Sequence, residues 1–385
     1  MTQVIFTERW DYMKVVAAID SFKGSMTSME AGNAVKKGIL AAKPDAEVWL
    51  SPLADGGEGT VDALIEGLGA EKIPVTVAGP LGEKVSCYYG FLEETKTAVM
   101  EMASAAGITL VTKKDPLRAS TYGVGEMIAD ALKRGCKNFM IGIGGSATND
   151  GGIGMLKALG FEFFDEDGND VGEGAAALAK IEVIRTENKN PLLSGTKFQI
   201  ACDVKNPLCG KQGATYIFGP QKGVTEEQKE QVDEAMRHYA DVTKESLDCD
   251  FADCEGAGAA GGLGYAFLSY LAGELIPGVE LILQATGLEE KMKNADVVVT
   301  GEGRLDAQTV MGKAPAGVAA LAKKYNAKVI AFAGSVASEA KVCNRAGIDA
   351  FFPIVRGVTT LEEAMKKENA MENIAATAEQ VFRLL

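Results

Sequence analysis

The sequence has a single histidine, His238, among 385 residues. A Ser-His-Asp or Cys-His arrangement would have to use this one residue, and a zinc site built from several histidines is excluded. His238 lies in a charged run of helical character, where a position on a solvated helix face is the simpler interpretation. We therefore expect any acid–base chemistry to come from carboxylates or lysine.

Paired cysteines, membrane-length apolar runs and an excess of positive charge are also missing. The seven cysteines include no C-x-x-C pair, which predicts reduced thiols in a cytoplasmic protein. No apolar run is long enough to span a bilayer, and no basic-then-apolar leader is present. The formal net charge of −14 repels nucleic acid and acidic lipid, so neither is expected as a partner. An anionic substrate would need a locally positive pocket.

Short apolar runs rich in Val and Ile predict five buried parallel strands. These runs are 13–20, 47–55, 295–303, 327–335 and 349–355. Helical patterns separate them, and the first helix is marked by a capping box formed by Thr27 and Glu30. The expected fold class is α/β, a flavodoxin-like doubly wound parallel sheet of order 2-1-3-4-5.

A large mixed α/β insertion is expected to interrupt this sheet. Strand-like runs joined by short turns between Ile73 and Met100 leave no room for helices and predict antiparallel or mixed pairing. Further helices are predicted over 117–135, 225–245 and 256–273. The predicted domains are 1–66 plus 284–385, with the insertion at 67–283 and the active site in the cleft between them. Residues 1–12 are left out of this prediction as an extension.

Glycine is abundant, with 45 residues, and six of them lie in "IGIGGSATNDGGIG" from Ile141 to Gly154. A strand that leads through glycines into a helix start exposes backbone N–H groups to an anion. We expect phosphate to bind there. The proposed nucleotide-binding residues of this loop are Gly144, Gly145, Ser146, Thr148 and Asn149. The alternative is a tight turn that packs against another segment of the chain.

The same loop also matches the dinucleotide pattern G-x-G-x-x-A, with Asp165 about twenty residues further on. The pattern is weak by itself, because the following helix is predicted to begin only after Asp150. An NAD-dependent reaction is therefore the alternative interpretation of this loop.

Carboxylates at predicted strand ends form a second group of candidate residues. Asp20, Asp55 and Glu302 follow the first three strands of the sheet, so they should share one edge. Asp306 follows Glu302, and Asp150 and Asp203 stand in the insertion. Grouped carboxylates repel each other unless a cation neutralises them, which predicts Mg²⁺. Any one of them has the alternative of a helix cap, above all Asp306 and Asp150.

Three cations complete the set: Lys23 after the first strand, Arg304 after the third, and Lys222 in "FGPQKG". A solvated turn is the alternative for Lys23. Phosphate-binding glycines, grouped carboxylates and cations without a usable histidine point to phosphoryl transfer.

At these residues the sequence resembles the bacterial type-1 glycerate kinases. The motifs that carry the resemblance include "DSFKGS", "PLADGGEGT", "GIGGSATNDGG", "CDVKNPLCGKQGATYIFGPQKG", "GAAGGLG" and "TGEGRLDAQTVMGKAPAGVA". The resemblance implies a flavodoxin-like domain split by an insertion. It also implies ATP-dependent phosphorylation of glycerate, generally to 2-phosphoglycerate, in glycolate, glyoxylate or glucarate breakdown.

Within that reaction we assign roles to the candidate residues. Mg·ATP is expected to bind along 142–149 and at Lys222. Asp203 is expected to be the base that accepts the proton of the attacking hydroxyl. Arg304 or Lys23 pairs with the substrate carboxylate, beside Asp20, Ser21 and Asp55. Lys23 or Lys222 offsets charge on the transferred phosphoryl group. Glu302 and Asp306, or else Asp55, hold Mg²⁺.

Three other functions stay open on the sequence alone. They are phosphorylation of the 3-hydroxyl, an NAD-dependent oxidoreductase and a sugar-acid sensor without catalysis. A homo-oligomer is left open as well.

Overall fold

The protein is described by a computed structural model over residues 13–53 and 60–385. Within these residues the strands, in chain order, are β1 Lys14–Ile19, β2 Glu47–Pro52, β3 Glu71–Ala78, β4 Lys84–Leu92, β5 Thr97–Glu101, β6 Asn138–Gly142, β7 Glu162–Phe164, β8 Val183–Arg185, β9 Lys197–Ala201, β10 Glu274–Ile276, β11 Val297–Leu305, β12 Lys328–Val336 and β13 Ala350–Pro353.

The α-helices of the same residues are α1 Ser28–Ala42, α2 Thr60–Leu68, α3 Ala103–Ala106, α4 Tyr122–Lys133, α5 Ile153–Ala158, α6 Ala175–Leu178, α7 Ala214–Lys222, α8 Lys229–Leu247, α9 Leu263–Leu271, α10 Gly278–Ala285, α11 Leu288–Met292, α12 Ala314–Lys324, α13 Val342–Arg345, α14 Leu361–Met365 and α15 Lys367–Phe382. Among the helices in these ranges, none has the length and apolar character needed to cross a membrane.

The chain divides into two compact units. Unit 1 comprises Met1–Asp55, Glu66–Leu68 and Ile282–Leu385, and unit 2 comprises Gly56–Ile65 and Gly69–Leu281. Each unit contains its own sheet and its own buried core.

Unit 1 is built on a five-stranded parallel sheet of order β13-β12-β11-β1-β2. Val15 of β1 lies opposite Val48 of β2 on one side and Val297 of β11 on the other. Counted along the chain within this sheet, the order is 2-1-3-4-5. The predicted flavodoxin-like fold is confirmed.

Helices cover the sheet of unit 1 and explain why its strands are apolar throughout. The core on one face joins strand residues such as Ile19 and Phe332 to Val35 of α1 and Ile374 of α15. Residues that alternate with these, such as Val298, are buried as well. Burial on both faces is what a doubly wound parallel sheet requires.

The predicted start of α1 is also confirmed. Thr27 accepts a hydrogen bond from the backbone N–H of Glu30, and the Glu30 carboxylate accepts one from the backbone N–H of Thr27. This capping box satisfies two N–H groups that have no partner within the helix.

Unit 2 contains a six-stranded mixed sheet of order β10-β9-β6-β5-β4-β3. The strands β3, β4 and β5 pair antiparallel, as predicted for this stretch, and β5, β6, β9 and β10 pair parallel. β7 and β8 form a separate two-stranded antiparallel sheet.

Three helices of unit 2 begin later than the sequence predicted, and one of them, expected from 225, begins as α8 at Lys229. The helix expected from 117 begins at Tyr122, and the one expected from 256 begins as α9 at Leu263. Before α9, Ala260 has φ 52°, and Gly261 and Gly262 also have positive φ. A right-handed helix cannot pass through residues in that conformation, so the apolar pattern continues further than the helix does.

His238 lies on α8, as predicted, but it is not simply solvated. Its Nε2 lies 2.8 Å from the backbone oxygen of Ile181, and its side chain is 36% exposed. This contact stabilises the packing of unit 2 and involves none of the candidate site residues.

Candidate active site

A pocket of about 630 Å³ opens at the carboxyl ends of the unit 1 strands. In a doubly wound sheet this edge is the usual place for a ligand. The predicted residues that line the pocket are Asp20, Ser21, Lys23, Glu302, Arg304 and Asp306. Asp55, the remaining predicted residue of this group, lies outside the described residues.

Apolar side chains form much of the pocket wall. Phe22, Ile354 and Leu361 are among these apolar residues. A mostly apolar wall with a few convergent polar groups is typical of sites for small ligands.

Glu302 lies within β11, as the last residue of its continuously buried part, and is only 6% exposed. Its Oε1 accepts a hydrogen bond from the Thr309 hydroxyl at 2.6 Å, and its Oε2 accepts one from the Lys313 ammonium at 3.3 Å. Burial raises the pKa of Glu302 above 4.5, while the contacts with Thr309 and Lys313 act in the opposite direction. Both carboxylate oxygens therefore have partners already.

Asp306 forms the cap that the sequence offered as its alternative role. Its Oδ1 accepts a hydrogen bond from the backbone N–H of Gln308 at 2.9 Å, at the start of a short 3₁₀ helix. Its Oδ2 lies 3.5 Å from Nε of Arg304, whose side chain is 66% exposed. The guanidinium is thus held loosely at the pocket rim and keeps most of its donors for a ligand.

Asp20 connects the ends of two neighbouring strands. Its backbone N–H donates to the oxygen of Gly301 at 2.9 Å, and its Oδ1 accepts from the backbone N–H of Ser21 at 2.7 Å. Asp20 is 8% exposed, whereas Lys23 in the following turn is exposed. This turn presents a carboxylate, a hydroxyl and an ammonium to one pocket.

A metal ion at this edge would find few protein ligands. Among residues 13–53 and 60–385, no group of three or more His, Cys, Asp or Glu side chains is arranged to hold one. Mg²⁺ is often bound by one or two carboxylates together with phosphate and water oxygens, so the absence of a protein cage is compatible with Mg·ATP. Each carboxylate oxygen of Glu302 keeps a further lone pair, so these contacts do not by themselves prevent direct coordination.

The glycine loop of unit 2 has two parts with different surroundings. Gly144 and Gly145 are exposed, and a Cβ atom added at Gly144 would meet nothing within 4 Å. Gly151 and Gly152 have positive φ. A Cβ atom added at Gly151 would lie 2.8 Å from the ring of Tyr239, and one added at Gly152 would lie 2.4 Å from the Cβ of Ala266. Gly151 and Gly152 therefore belong to a tight packed turn, which was the alternative interpretation of the loop, whereas Gly144 and Gly145 are open to a ligand.

The exposed part of the loop has the geometry of an anion-binding turn. Gly145 has φ +74°, and its carbonyl accepts a hydrogen bond from Ile108. Within the described residues, no protein acceptor takes the backbone N–H groups of Gly144, Gly145 or Ser146. Successive N–H groups around a left-handed residue form a concave site for anions.

Thr148 and Asn149 of the same loop are completely buried. The Lys222 ammonium donates to the backbone oxygen of Thr148 at 2.6 Å, and Nδ2 of Asn149 donates to the hydroxyl of Thr215 at 3.1 Å. Burial lowers the pKa of Lys222 to about 7, and the Asp150 carboxylate partly opposes this shift. The three predicted residues are thus buried, and the contact of Lys222 with Thr148 connects it to the loop that carries the exposed glycines.

Asp150 organises the turn that follows. Its carboxylate accepts hydrogen bonds from the backbone N–H and the hydroxyl of Thr121, both at 2.8 Å, and from the backbone N–H groups of Gly152 and Gly154. Burial raises its pKa, and these hydrogen bonds act against the rise. Asp150 therefore acts as a helix cap at the start of α5, which was the alternative role predicted for it from the sequence.

Asp203 lies on the exposed loop after β9. Its Oδ1 accepts a hydrogen bond from the backbone N–H of Gly278 at 2.9 Å, at the start of α10. The side chain is accessible, which a base that receives a proton from a substrate hydroxyl requires.

The polar side chains at the unit 1 pocket that were missed at the sequence level include Lys313, Ser335 and Asn373, which line it, and Thr309, which donates to Glu302. Lys313 stands in "MGKAPAG", a Gly-Lys that matches no phosphate-binding pattern. The one available signal was the spacing of Asp306 and Thr309, which forms a capping box and turns the chain toward Lys313.

These features define an α/β enzyme in which loops at strand ends and a glycine turn present sites for anionic ligands. The glycerate kinase family profile matches residues 15–385. The chain belongs to the glycerate kinase family, and the resemblance seen in the sequence is confirmed.

Individual relatives agree with this assignment. A glycerate kinase of Bacillus subtilis is 44% identical over 371 residues, which cover 96% of this chain and 97% of the relative. A glycerate 2-kinase of Escherichia coli is 45% identical over 372 residues, covering 95% of this chain and 98% of the relative. A crystal structure assigned to a glycerate kinase 2 of Salmonella typhimurium superposes with a TM-score of 0.89 at 43% identity, covering 96% and 97% of the two chains.

Proposed function

We propose that the protein transfers the γ-phosphoryl group of ATP to the 2-hydroxyl of D-glycerate and forms 2-phosphoglycerate. The observation that carries the proposal is the unit 1 pocket, where three cations, Lys23, Arg304 and Lys313, converge on a cavity large enough for a sugar acid. Membership of the glycerate kinase family and the name of the Escherichia coli relative support the substrate and the position of phosphorylation.

In the proposed reaction Arg304 or Lys23 pairs with the carboxylate of glycerate. A planar guanidinium can bind both carboxylate oxygens, which favours Arg304. Asp20 and Ser21 face the same pocket and are proposed to orient the hydroxyl groups of the substrate. Asp55 is kept as a further candidate for that role.

The nucleotide phosphates are proposed to bind at the open turn of unit 2. The N–H groups of Gly144, Gly145 and Ser146 supply donors, and the exposed glycines allow phosphate oxygens to approach the backbone. Thr148, Asn149 and Lys222 are proposed to support this turn from the interior, since all three are buried and Lys222 donates to the carbonyl of Thr148 in the same loop.

Asp203 is proposed to accept the proton of the attacking hydroxyl. The hydroxyl oxygen then forms a bond to the γ-phosphorus as the bond to the bridging oxygen of ADP breaks. Mg²⁺ is proposed to enter with ATP and would neutralise phosphate charge when bound. Glu302 and Asp306 are the carboxylates proposed to hold it.

We also expect the protein to act in the cytoplasm, in organic acid breakdown through glyoxylate or glucarate.

One coupled assay tests the proposal against the alternatives. ADP formation should depend on both glycerate and Mg²⁺. A sugar-acid sensor would bind glycerate without consuming ATP, and an oxidoreductase would be protected from thermal unfolding by NADH and be indifferent to Mg²⁺. Phosphorus NMR of the product separates 2-phosphoglycerate from 3-phosphoglycerate, and appearance of the latter would overturn the proposed position.

A further inference from the structure

The unit 1 pocket contains a cation, Lys313, that none of the roles proposed so far uses. It directly precedes α12, and its side chain is 36% exposed at the pocket. Its ammonium lies 3.3 Å from Oε2 of Glu302. An ammonium has three donors, so this contact leaves two for a ligand.

The carboxylate that holds Lys313 is itself fixed. The side chain of Glu302 is 8% exposed, and Thr309, which is completely buried, donates its hydroxyl to the other oxygen at 2.6 Å. Thr309 is held in turn, because its hydroxyl also accepts the backbone N–H of Asp306 at 3.2 Å. A short buried chain of contacts therefore determines where the ammonium of Lys313 lies.

The other cations considered for the phosphoryl group are held differently. Lys23 is exposed on a turn, and Lys222 of unit 2 is 2% exposed with its ammonium on the carbonyl of Thr148. Arg304 is mostly exposed at the rim and suits a carboxylate that arrives from solvent. Lys313 has both access to the pocket and a contact with the buried carboxylate of Glu302.

We propose that Lys313 is a catalytic residue that binds the phosphoryl group during transfer, and that Glu302 is the positioning residue that holds its ammonium. This inference rests on the proposed glycerate kinase reaction. Lys313 moves no proton in it. Its charge faces the oxygens of the transferred group as the bond from the substrate oxygen to phosphorus forms and the bond to ADP breaks. A fixed charge that needs no reorganisation is the most effective kind of transition-state stabilisation.

Substrate and product offer a direct test, because both carry a carboxylate and only 2-phosphoglycerate carries a phosphoryl group. Binding of each ligand to the full chain is measured by calorimetry without nucleotide or metal. Lys313→Ala should weaken 2-phosphoglycerate binding about tenfold or more and leave glycerate binding within about threefold. Arg304→Ala should weaken both ligands.

Lys324→Ala provides a matched control at the other end of α12. Lys324 is 66% exposed, pairs at 3.9 Å with Glu289 and does not line the pocket. This variant should bind both ligands like the wild type. Unfolding midpoints of all variants show whether any loss comes from the fold.

Turnover gives a second readout. Lys313→Ala should lower kcat by about 10²–10³-fold with little change in KM for glycerate, and Lys313→Arg should recover part of the loss. Glu302→Ala should also lower kcat with little change in KM, but by less than Lys313→Ala. The ammonium of Lys313 is still present in this variant but is no longer held in position. A merely structural role of Glu302 would instead lower the unfolding midpoint and raise KM together.

The outcomes that overturn the inference differ from those that overturn the proposed function. If Lys313→Ala binds 2-phosphoglycerate as the wild type does, or loses both ligands equally, Lys313 does not bind the phosphoryl group. If the wild type binds neither ligand and forms no ADP with glycerate, the proposed function itself is wrong.

Discussion

The ammonium of Lys222 donates a hydrogen bond to the backbone oxygen of Thr148 across 2.6 Å in the interior of unit 2. Lys222 is the last residue of α7, and Thr148 belongs to the loop after β6. One buried cation therefore connects the end of a helix to the loop that carries Gly144 and Gly145. Because water does not reach this ammonium, its charge is costly to the folded state.

Lys222→Met should change how the free energy of unfolding depends on pH. Burial lowers the pKa of Lys222 to about 7 from 10.5, so between these values the unfolded chain binds the proton more tightly than the folded protein. The wild type should gain stability as pH rises through this window, by at most about 1.4 kcal/mol per pH unit from this residue. Methionine cannot titrate, so the variant lacks this gain.

The measurement is urea unfolding of both proteins at several pH values from 7 to 9. The difference in stability between variant and wild type should shift in favour of the wild type as pH rises. Lys211→Met, which removes an exposed lysine of the same unit, should show no such shift. A difference independent of pH would show that Lys222 does not titrate in this range.

Gly144→Ala should separate ligand binding from folding. An alanine Cβ at this position meets nothing within 4 Å, so the fold should tolerate it. A methyl group on the open turn would obstruct phosphate oxygens that approach the backbone. We expect weaker ATP binding, about tenfold or more, with an unchanged unfolding midpoint.

Gly151→Ala is the matched opposite case in the same loop. Its φ is +61°, and an added Cβ would lie 2.8 Å from the ring of Tyr239, so this variant should lose about 1–3 kcal/mol of stability. ATP titration and thermal unfolding of both variants measure the two effects. Normal ATP affinity in Gly144→Ala would rule out this turn as the phosphate site.

The fold of unit 1 could be predicted because its determinants are local. Runs such as "KVVAAI" are too short and too rich in β-branched residues for helices, and the rules of handedness and winding leave few strand orders. The late start of α9 could not be predicted in the same way. The apolar pattern continues through Ala260, whose left-handed conformation interrupts the helical path without changing that pattern.

The candidate site was predictable only where the chain itself brings residues to the sheet edge. Asp20 directly follows β1 and Glu302 lies within the adjacent strand β11, so their shared pocket follows from the topology. The two kinds of glycine in the loop could not be told apart, because Gly151 packs against Tyr239, which is distant in the sequence. Lys313 was missed because its importance depends on the buried contacts of Glu302 with Thr309.

Asp203→Asn should test the proposed base without disturbing the loop. The amide oxygen can still accept the N–H of Gly278, so the unfolding midpoint should change little. An amide cannot accept the proton of the attacking hydroxyl, so kcat should fall by about 10²–10⁴-fold with a modest change in KM. Steady-state kinetics at saturating ATP measure this effect, and near-normal turnover would remove Asp203 from the mechanism.

Glu302→Gln should alter the acidic limb of the pH–rate profile. Burial raises the pKa of Glu302, so protonation as pH falls begins earlier than for an ordinary glutamate. The groups that face it are Lys313, Thr309, Asp306 and Cys343. Once protonated, Glu302 no longer attracts the Lys313 ammonium, and kcat of the wild type should decline.

Glutamine cannot titrate, so the variant should have a lower kcat at neutral pH but a flatter acidic limb. Glu289→Gln, which changes an exposed carboxylate of unit 1 away from the pocket, should keep the wild-type profile. Measuring kcat from pH 5 to 8 at saturating substrates separates the two shapes. If Glu302→Gln retains the full acidic limb, that limb belongs to another group and Lys313 does not depend on the charge of Glu302.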